Sequence, residues 1–306
     1  MVQKADSSVS SFKADASYFA KYLPLAEDDT LELVNFSQLP SASFDSHYAW
    51  QLADFVSTCL ENNDGIVITH GTDTMEETAF YLELVLKSSR PLVLTGAIMT
   101  ANQPGYDGIM NLRDAFKIIR SPTSVGKGVL IVFNKDIISA LHAVKTESER
   151  SNAFESSQTG KLGAVNGDRI VYYFEPKPHI KLENHIQGQS AIVKLHYDIE
   201  LEFVEFAFKQ FDIVIIECFG SGRVPPKLFP MIQSYSKKTI TILTTRACSG
   251  HLYDDYDTIG SYNSLMNERV IISPLNSLKS SILAKLCLGN NTQYSKMKAI
   301  FENFWN

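Results

Sequence analysis

Short apolar runs alternate along this chain with longer stretches in which apolar side chains recur every three or four positions. The runs at Leu31 to Phe36, Gly65 to Thr69, Pro91 to Thr95 and Gly128 to Phe133 are rich in β-branched residues and bounded by turn residues, which predicts buried strands. The stretches at Ser46 to Leu60, Met75 to Leu86 and Met110 to Ile119 carry the helical period. Apolar strands alternating with periodic helices imply a parallel sheet covered on both faces. From Leu162 to Phe174 the pattern shortens and predicts an antiparallel pair, with Asn166-Gly167 as the hairpin turn. A connector holding Pro176, Pro178 and Gly188 follows. Strands are then expected at Ala191 to Leu195, Ile213 to Glu217 and Ile240 to Thr244, and helices at Pro226 to Tyr235, Ser277 to Leu288 and Gln293 to Phe304. The expected fold is α/β. A larger doubly wound, mostly parallel-sheet N-terminal domain spans residues 1–185, and a smaller α/β C-terminal domain spans residues 186–306.

Four polar clusters fall at the expected strand ends or in the loops after them, the edge at which open α/β sheets bind ligands. The first is Ser37-Gln-Leu-Pro-Ser41-Ala-Ser43, and the second is the turn Gly71-Thr72-Asp73-Thr74 ahead of a helix with Glu76 and Glu77 in its first turn. The third is Thr95-Gly96-Ala97, whose small residues allow close backbone approach, and the fourth is Val144-Lys145-Thr146. Each has an ordinary structural explanation. Thr72 or Asp73 can cap a helix, Ser41 sits in a Ser/Pro turn, and most lysines are solvated. Together they offer a hydroxyl, a carboxylate, a lysine and backbone amides, a set suited to acyl transfer. A threonine hydroxyl becomes nucleophilic only with help in losing its proton, and a partly desolvated lysine supplies that help. Asp73 suits a substrate ammonium better than the role of base.

Composition narrows the classes. A formal net charge of −6 argues against a general nucleic-acid binder or a binder of anionic membranes. No run approaches the length of a transmembrane helix, and residues 1–12 are too polar for a signal peptide. Cys59, Cys218, Cys248 and Cys287 lack CxxC spacing, which suits reduced cysteines of a cytoplasmic protein. The seven histidines form no HExxH or other ligand pair, so no metal site is expected. Phe219-Gly-Ser-Gly222 lacks the third glycine of a dinucleotide loop and runs into Pro225-Pro226.

The segment Ile68-Thr-His-Gly-Thr-Asp-Thr-Met-Glu-Glu-Thr78 resembles the bacterial-type L-asparaginase and glutaminase-asparaginase family. So do Thr95-Gly-Ala97, Asp107-Gly108, Asn111-Leu112, Val144-Lys-Thr146, Glu217-Cys-Phe-Gly-Ser-Gly222 and Thr244-Thr-Arg246, so that the likeness covers nearly the whole chain. The resemblance implies a homodimer or homotetramer that hydrolyses L-asparagine, with L-glutamine as a second candidate amide, through an acyl-enzyme and without a cofactor. It further implies Thr72 as the second catalytic threonine with Lys145 as its partner. Asp73 would take the substrate α-amino group, Ser41 the α-carboxylate, and Ala97 would lend its backbone to the amide. The departure is at the front, where the family has an apolar strand running into a Thr-Gly-Gly-Thr-Ile type turn. This sequence opens Met1-Val-Gln-Lys-Ala-Asp-Ser-Ser, and its first threonine is Thr30. Ile98-Met99 and Arg223 also differ from the family pattern. The expectation is therefore a family member whose reading frame starts upstream, impaired as it stands. The alternative is a pseudoenzyme that binds aspartate or asparagine. A tRNA-dependent amidotransferase subunit would need a further N-terminal domain.

Overall fold

The computed structural model describes residues 2–3, 10–11, 20–156, 158–177, 179–253, 258–266 and 268–305. The chain divides into two compact units, Met1–Pro176 and Lys177–Asn306. In the first unit, β1 (Val2–Gln3) pairs antiparallel with β2 (Ser10–Ser11). The main strands are β3 (Ile66–Thr69), β4 (Leu92–Thr95), β5 (Val129–Phe133) and β6 (Asp136–Ser139). A two-stranded ribbon of β7 (Val144–Lys145) and β8 (Phe154–Glu155) follows, and then the hairpin of β9 (Gly163–Asn166) and β10 (Arg169–Tyr172). Across the main sheet the order is β10-β9-β6-β5-β4-β3. The α/β class holds, and the sheet is mixed: β3, β4 and β5 run parallel, while β5-β6, β6-β9 and β9-β10 are antiparallel.

Among the described residues, three α-helices pack this unit: α1 (Ser46–Asn62), α2 (Met75–Val85) and α3 (Gly108–Arg120). Asp45 starts α1, its carboxylate accepting from the His47 and Tyr48 amides. Helix α3 lies on β3, β4 and β5, where Ala115 and Ile118 meet Val93, Leu130 and Val132. Helix α2 packs on β5 and on α1, so it has no solvent face and nearly every residue in it is buried. Burial of a carboxylate in such a helix requires a partner. Glu83 finds one in the Val129 amide at the start of β5.

Two expectations for this unit need revision. Leu31 to Phe36 forms no strand or helix, and Leu33 and Val34 are exposed. A strand needs a neighbouring strand to share a ladder with, and this segment belongs to none of the ladders among the described residues. Phe36 is held instead by its ring contact with Phe55, with centroids 5.6 Å apart. The hairpin turn is shifted by one residue. Asn166 pairs with Arg169, which leaves Gly167-Asp168 as the loop, and Gly167 takes the positive φ of 64° that such a turn needs.

The second unit holds β11 (Ser190–Lys194), β12 (Ile213–Cys218), β13 (Ile240–Thr245) and β14 (Ile271–Ile272), parallel throughout in that order. Its helices are α4 (Leu201–Gln210), α5 (Phe229–Tyr235), α6 (Tyr262–Met266), α7 (Ser277–Gly289) and α8 (Tyr294–Glu302). The sequence pattern hides α4, because Leu201-Glu-Phe-Val-Glu-Phe-Ala-Phe208 is apolar at six of eight positions and shows no clear polar face. Burial resolves it: Val204, Ala207 and Phe208 enter the core with Val193, Val214 and Ile216, while Phe203 and Phe206 face outward. Among the described residues no helix is long and apolar enough to cross a membrane.

The layer between β5 and α3 sets a stability prediction. Leu130 is fully buried there, so Leu130→Ala should cost about 2–5 kcal/mol in urea denaturation. Met110→Ala, on the exposed side of α3, should stay within about 0.5 kcal/mol of the parent.

Candidate active site

Strands β3 and β4 end side by side, with Thr69 opposite Thr95, so the loops that follow leave the sheet at the same edge. Gly96 is pressed against the first loop. A Cβ there would stand 2.4 Å from the His70 carbonyl oxygen. Ala97, next along, lies in the loop that leaves β4.

The turn Gly71-Thr72-Asp73-Thr74 is tied to the Ser41 loop by three features. The Thr74 hydroxyl donates to the Ser41 carbonyl at 2.8 Å, and the Asp73 amide donates to Ser41 Oγ at 3.2 Å. At Gly71, a Cβ would sit 2.5 Å from Ser41 Oγ, so only glycine permits the approach. Ser41 itself is buried. The turn is therefore not spent on capping: Thr74 is the N-cap of α2 and makes no side-chain cap bond.

Lys145 reaches the same turn from β7. Its Nζ is 3.0 Å from Thr72 Oγ1 and 3.4 Å from Asp73 Oδ1. The lysine side chain is 22% exposed and the aspartate 63% exposed, so Lys145 is substantially desolvated while Asp73 keeps a face toward solvent. A partly dry lysine against a hydroxyl, flanked by an accessible carboxylate and a serine, can move a proton at Thr72 Oγ1 and offer a negative group to a cationic substrate. Of the five residues singled out from sequence, Ser41, Thr72, Asp73 and Lys145 meet through hydrogen bonds. Ala97 lies in the loop after β4 and makes no hydrogen bond to these four among those the structure describes.

Residues 1–178 match the family model described as "Asparaginase, N-terminal", and residues 190–301 match "Glutaminase/Asparaginase C-terminal domain". The chain belongs to the asparaginase family. It is 38% identical over 275 residues to L-asparaginase 2 of Bacillus subtilis, covering 86% of this chain and 72% of that protein. It is 30% identical over 261 residues to an L-asparaginase of Bacillus licheniformis, covering 83% and 80%. In fold it is similar to a probable cytoplasmic L-asparaginase from Campylobacter jejuni, with a TM-score of 0.85 at 24% identity over 94% of each chain. By family it is an asparaginase-type amidohydrolase.

The asparaginase-family turn has a support that sequence reasoning did not single out. His70 is buried and follows β3 directly. Its Nδ1 donates to the Gly71 carbonyl at 2.6 Å, its Nε2 accepts from the Thr78 hydroxyl at 3.2 Å, and its ring packs edge-on against Phe44. Burial holds its pKa below the ordinary histidine value, and the bond to the Gly71 carbonyl only partly opposes that. A second support lies under the Ala97 loop. The Asp107 carboxylate accepts from the Ile98 amide at 3.1 Å and the Met99 amide at 3.1 Å. Asn111 donates to the Gly96 carbonyl at 3.0 Å. The signal was available, since both residues lie within the motifs that carry the family likeness.

The lowered His70 pKa has a definite sign. The unfolded chain, with a histidine pKa of about 6.5, takes up the proton more readily than the folded one. Stability is fully present above that value and is lost as pH falls through it toward the lower folded value. The urea midpoint should therefore drop between pH 7.5 and pH 5.5. In His70→Asn, which cannot titrate, that drop should be shallower.

Proposed function

We propose that this chain acts on L-asparagine, with Thr72 and Lys145 as its proton-transfer pair. Asp73 binds the substrate α-amino group and Ser41 the α-carboxylate, while the Ala97 backbone receives the side-chain amide. The observation that carries this reading is the 3.0 Å contact between Lys145 Nζ and Thr72 Oγ1, with Asp73 and Ser41 on the same turn. The ammonium form of Lys145 donates to Oγ1. Amide cleavage needs the hydroxyl proton to leave Oγ1, and Lys145 Nζ is the side-chain nitrogen within reach of it. Asparagine and glutamine differ by one methylene, a difference of about 1–3 kcal/mol in a fitted pocket, and asparagine is the shorter ligand assigned here. A homo-oligomer in the cytoplasm completes the reading. The scattered cysteines, without CxxC spacing, support the compartment.

Two measurements test this. Calorimetry should show L-aspartate binding, weakened about 10- to 150-fold in Asp73→Asn by loss of a charge-assisted hydrogen bond of about 1.5–3 kcal/mol. Absence of heat at millimolar L-aspartate would sink the substrate assignment. Ammonia release from L-asparagine should fall at least about 100-fold in Lys145→Met, the scale on which one proton-transferring group acts. A rate equal to the parent's would remove Lys145 from the reaction.

A further inference from the structure

Lys145 has four side-chain torsions and belongs to a strand of only two residues, whose ladder partner β8 is equally short. Such a ribbon is a weak support for a side chain that must meet Thr72 Oγ1 at 3.0 Å. A second anchor comes from α2. The carboxylate of Glu76, buried in the first turn of that helix, accepts the Lys145 main-chain amide at 2.6 Å. A charged acceptor at that distance makes a strong hydrogen bond, and an anion is favoured at a helix N-terminus.

The two contacts on Lys145 have one origin. Thr72 and Glu76 are four positions apart, the first in the turn before α2 and the second in its opening turn. The same rigid helix end therefore holds the lysine at its backbone and meets it again at its amine. With the main chain pinned, fewer rotamers remain to be lost when Nζ settles on Oγ1.

We propose that Glu76 is a positioning residue of the amidohydrolase site: through the Lys145 amide it sets the amine onto the Thr72 hydroxyl. This rests on the reading of Thr72 and Lys145 as the reacting pair. Its expected signature is confined to Lys145.

The test compares Glu76→Gln, whose amide oxygen still accepts the N–H, with Glu76→Asp, which is too short to reach it, in the full chain. Acetylation of each lysine by acetic anhydride is followed by peptide mass spectrometry, alongside hydrogen exchange at the Lys145 amide and calorimetric L-aspartate binding. In Glu76→Asp, Lys145 should be acetylated at least fivefold faster and its amide should lose protection. Lys117 and Lys161 should be unchanged. Glu76→Gln should stay within twofold of the parent at every lysine. A Lys145 rate within twofold of the parent in Glu76→Asp, once its amide protection is gone, would reduce Glu76 to a structural role and overturn the proposal. Equal behaviour of the Gln and Asp variants would overturn it too. Should the parent protein fail to bind L-aspartate while the Lys145 labelling pattern holds, the substrate assignment fails and the positioning link stands.

Discussion

The hydrogen bond between Lys145 and Thr72 joins residues 73 positions apart in the chain, and the arrangement of the N-terminal unit can be understood as what brings those two atoms to 3.0 Å. Thr72 is delivered by the parallel pair β3-β4, whose in-register ends open two loops at one edge. Lys145 is delivered past the antiparallel strand β6, which returns beside β5 and ends at Ser139, a few residues before the ribbon. Neither loop would hold its geometry unaided. The Thr72 turn is tied from one side by Ser41 and from below by His70, and the lysine is tied through its backbone to Glu76.

Helix α2 is the common spacer in this arrangement. It is buried between the sheet and α1, yet it carries two buried carboxylates, and each accepts a backbone amide of another element. Glu83 accepts from Val129 at the start of β5, and Glu76 accepts from Lys145 in β7. Buried carboxylates are costly unless their hydrogen bonds are satisfied, so both contacts are strongly favoured once the helix is in place. The two groups it grips on those strands are main-chain amides, which any non-proline residue at those positions would supply. This grip also converts the rigidity of an 11-residue helix into a fixed separation between the β5 start and the lysine ribbon.

The chemistry follows from unequal solvation of three neighbours. His70 is buried and held neutral by its surroundings, so it serves as a fixed hydrogen-bond link between the Gly71 carbonyl and Thr78. Lys145 is mostly covered, while Asp73 stays open to solvent. An amino-acid ligand entering from solvent would meet Asp73 before it covers Lys145, and it would remove water from the lysine only on arrival.

The local elements of this protein were legible from sequence because strand and helix periods are properties of short segments. Every apolar run from Gly65 to Phe133 became a strand within about two residues of its expected limits, the usual uncertainty of such boundaries. Ser41, Thr72, Asp73 and Lys145 were legible as candidates because hydroxyl, carboxylate and amine clusters at strand ends are visible in one dimension. Three things were decided only by tertiary structure. Leu31 to Phe36 has strand composition, but a strand requires a neighbour, and pairing is not a local property. Helix α4 presents Phe203 and Phe206 outward, so its period emerged only when burial separated them from Val204 and Phe208. Glu76 looked like an ordinary acidic residue opening a helix, and its bond to Lys145 spans 69 residues. Sequence determines which groups are present and which segments are regular; the packed fold alone decides which distant backbone amide a buried carboxylate will meet.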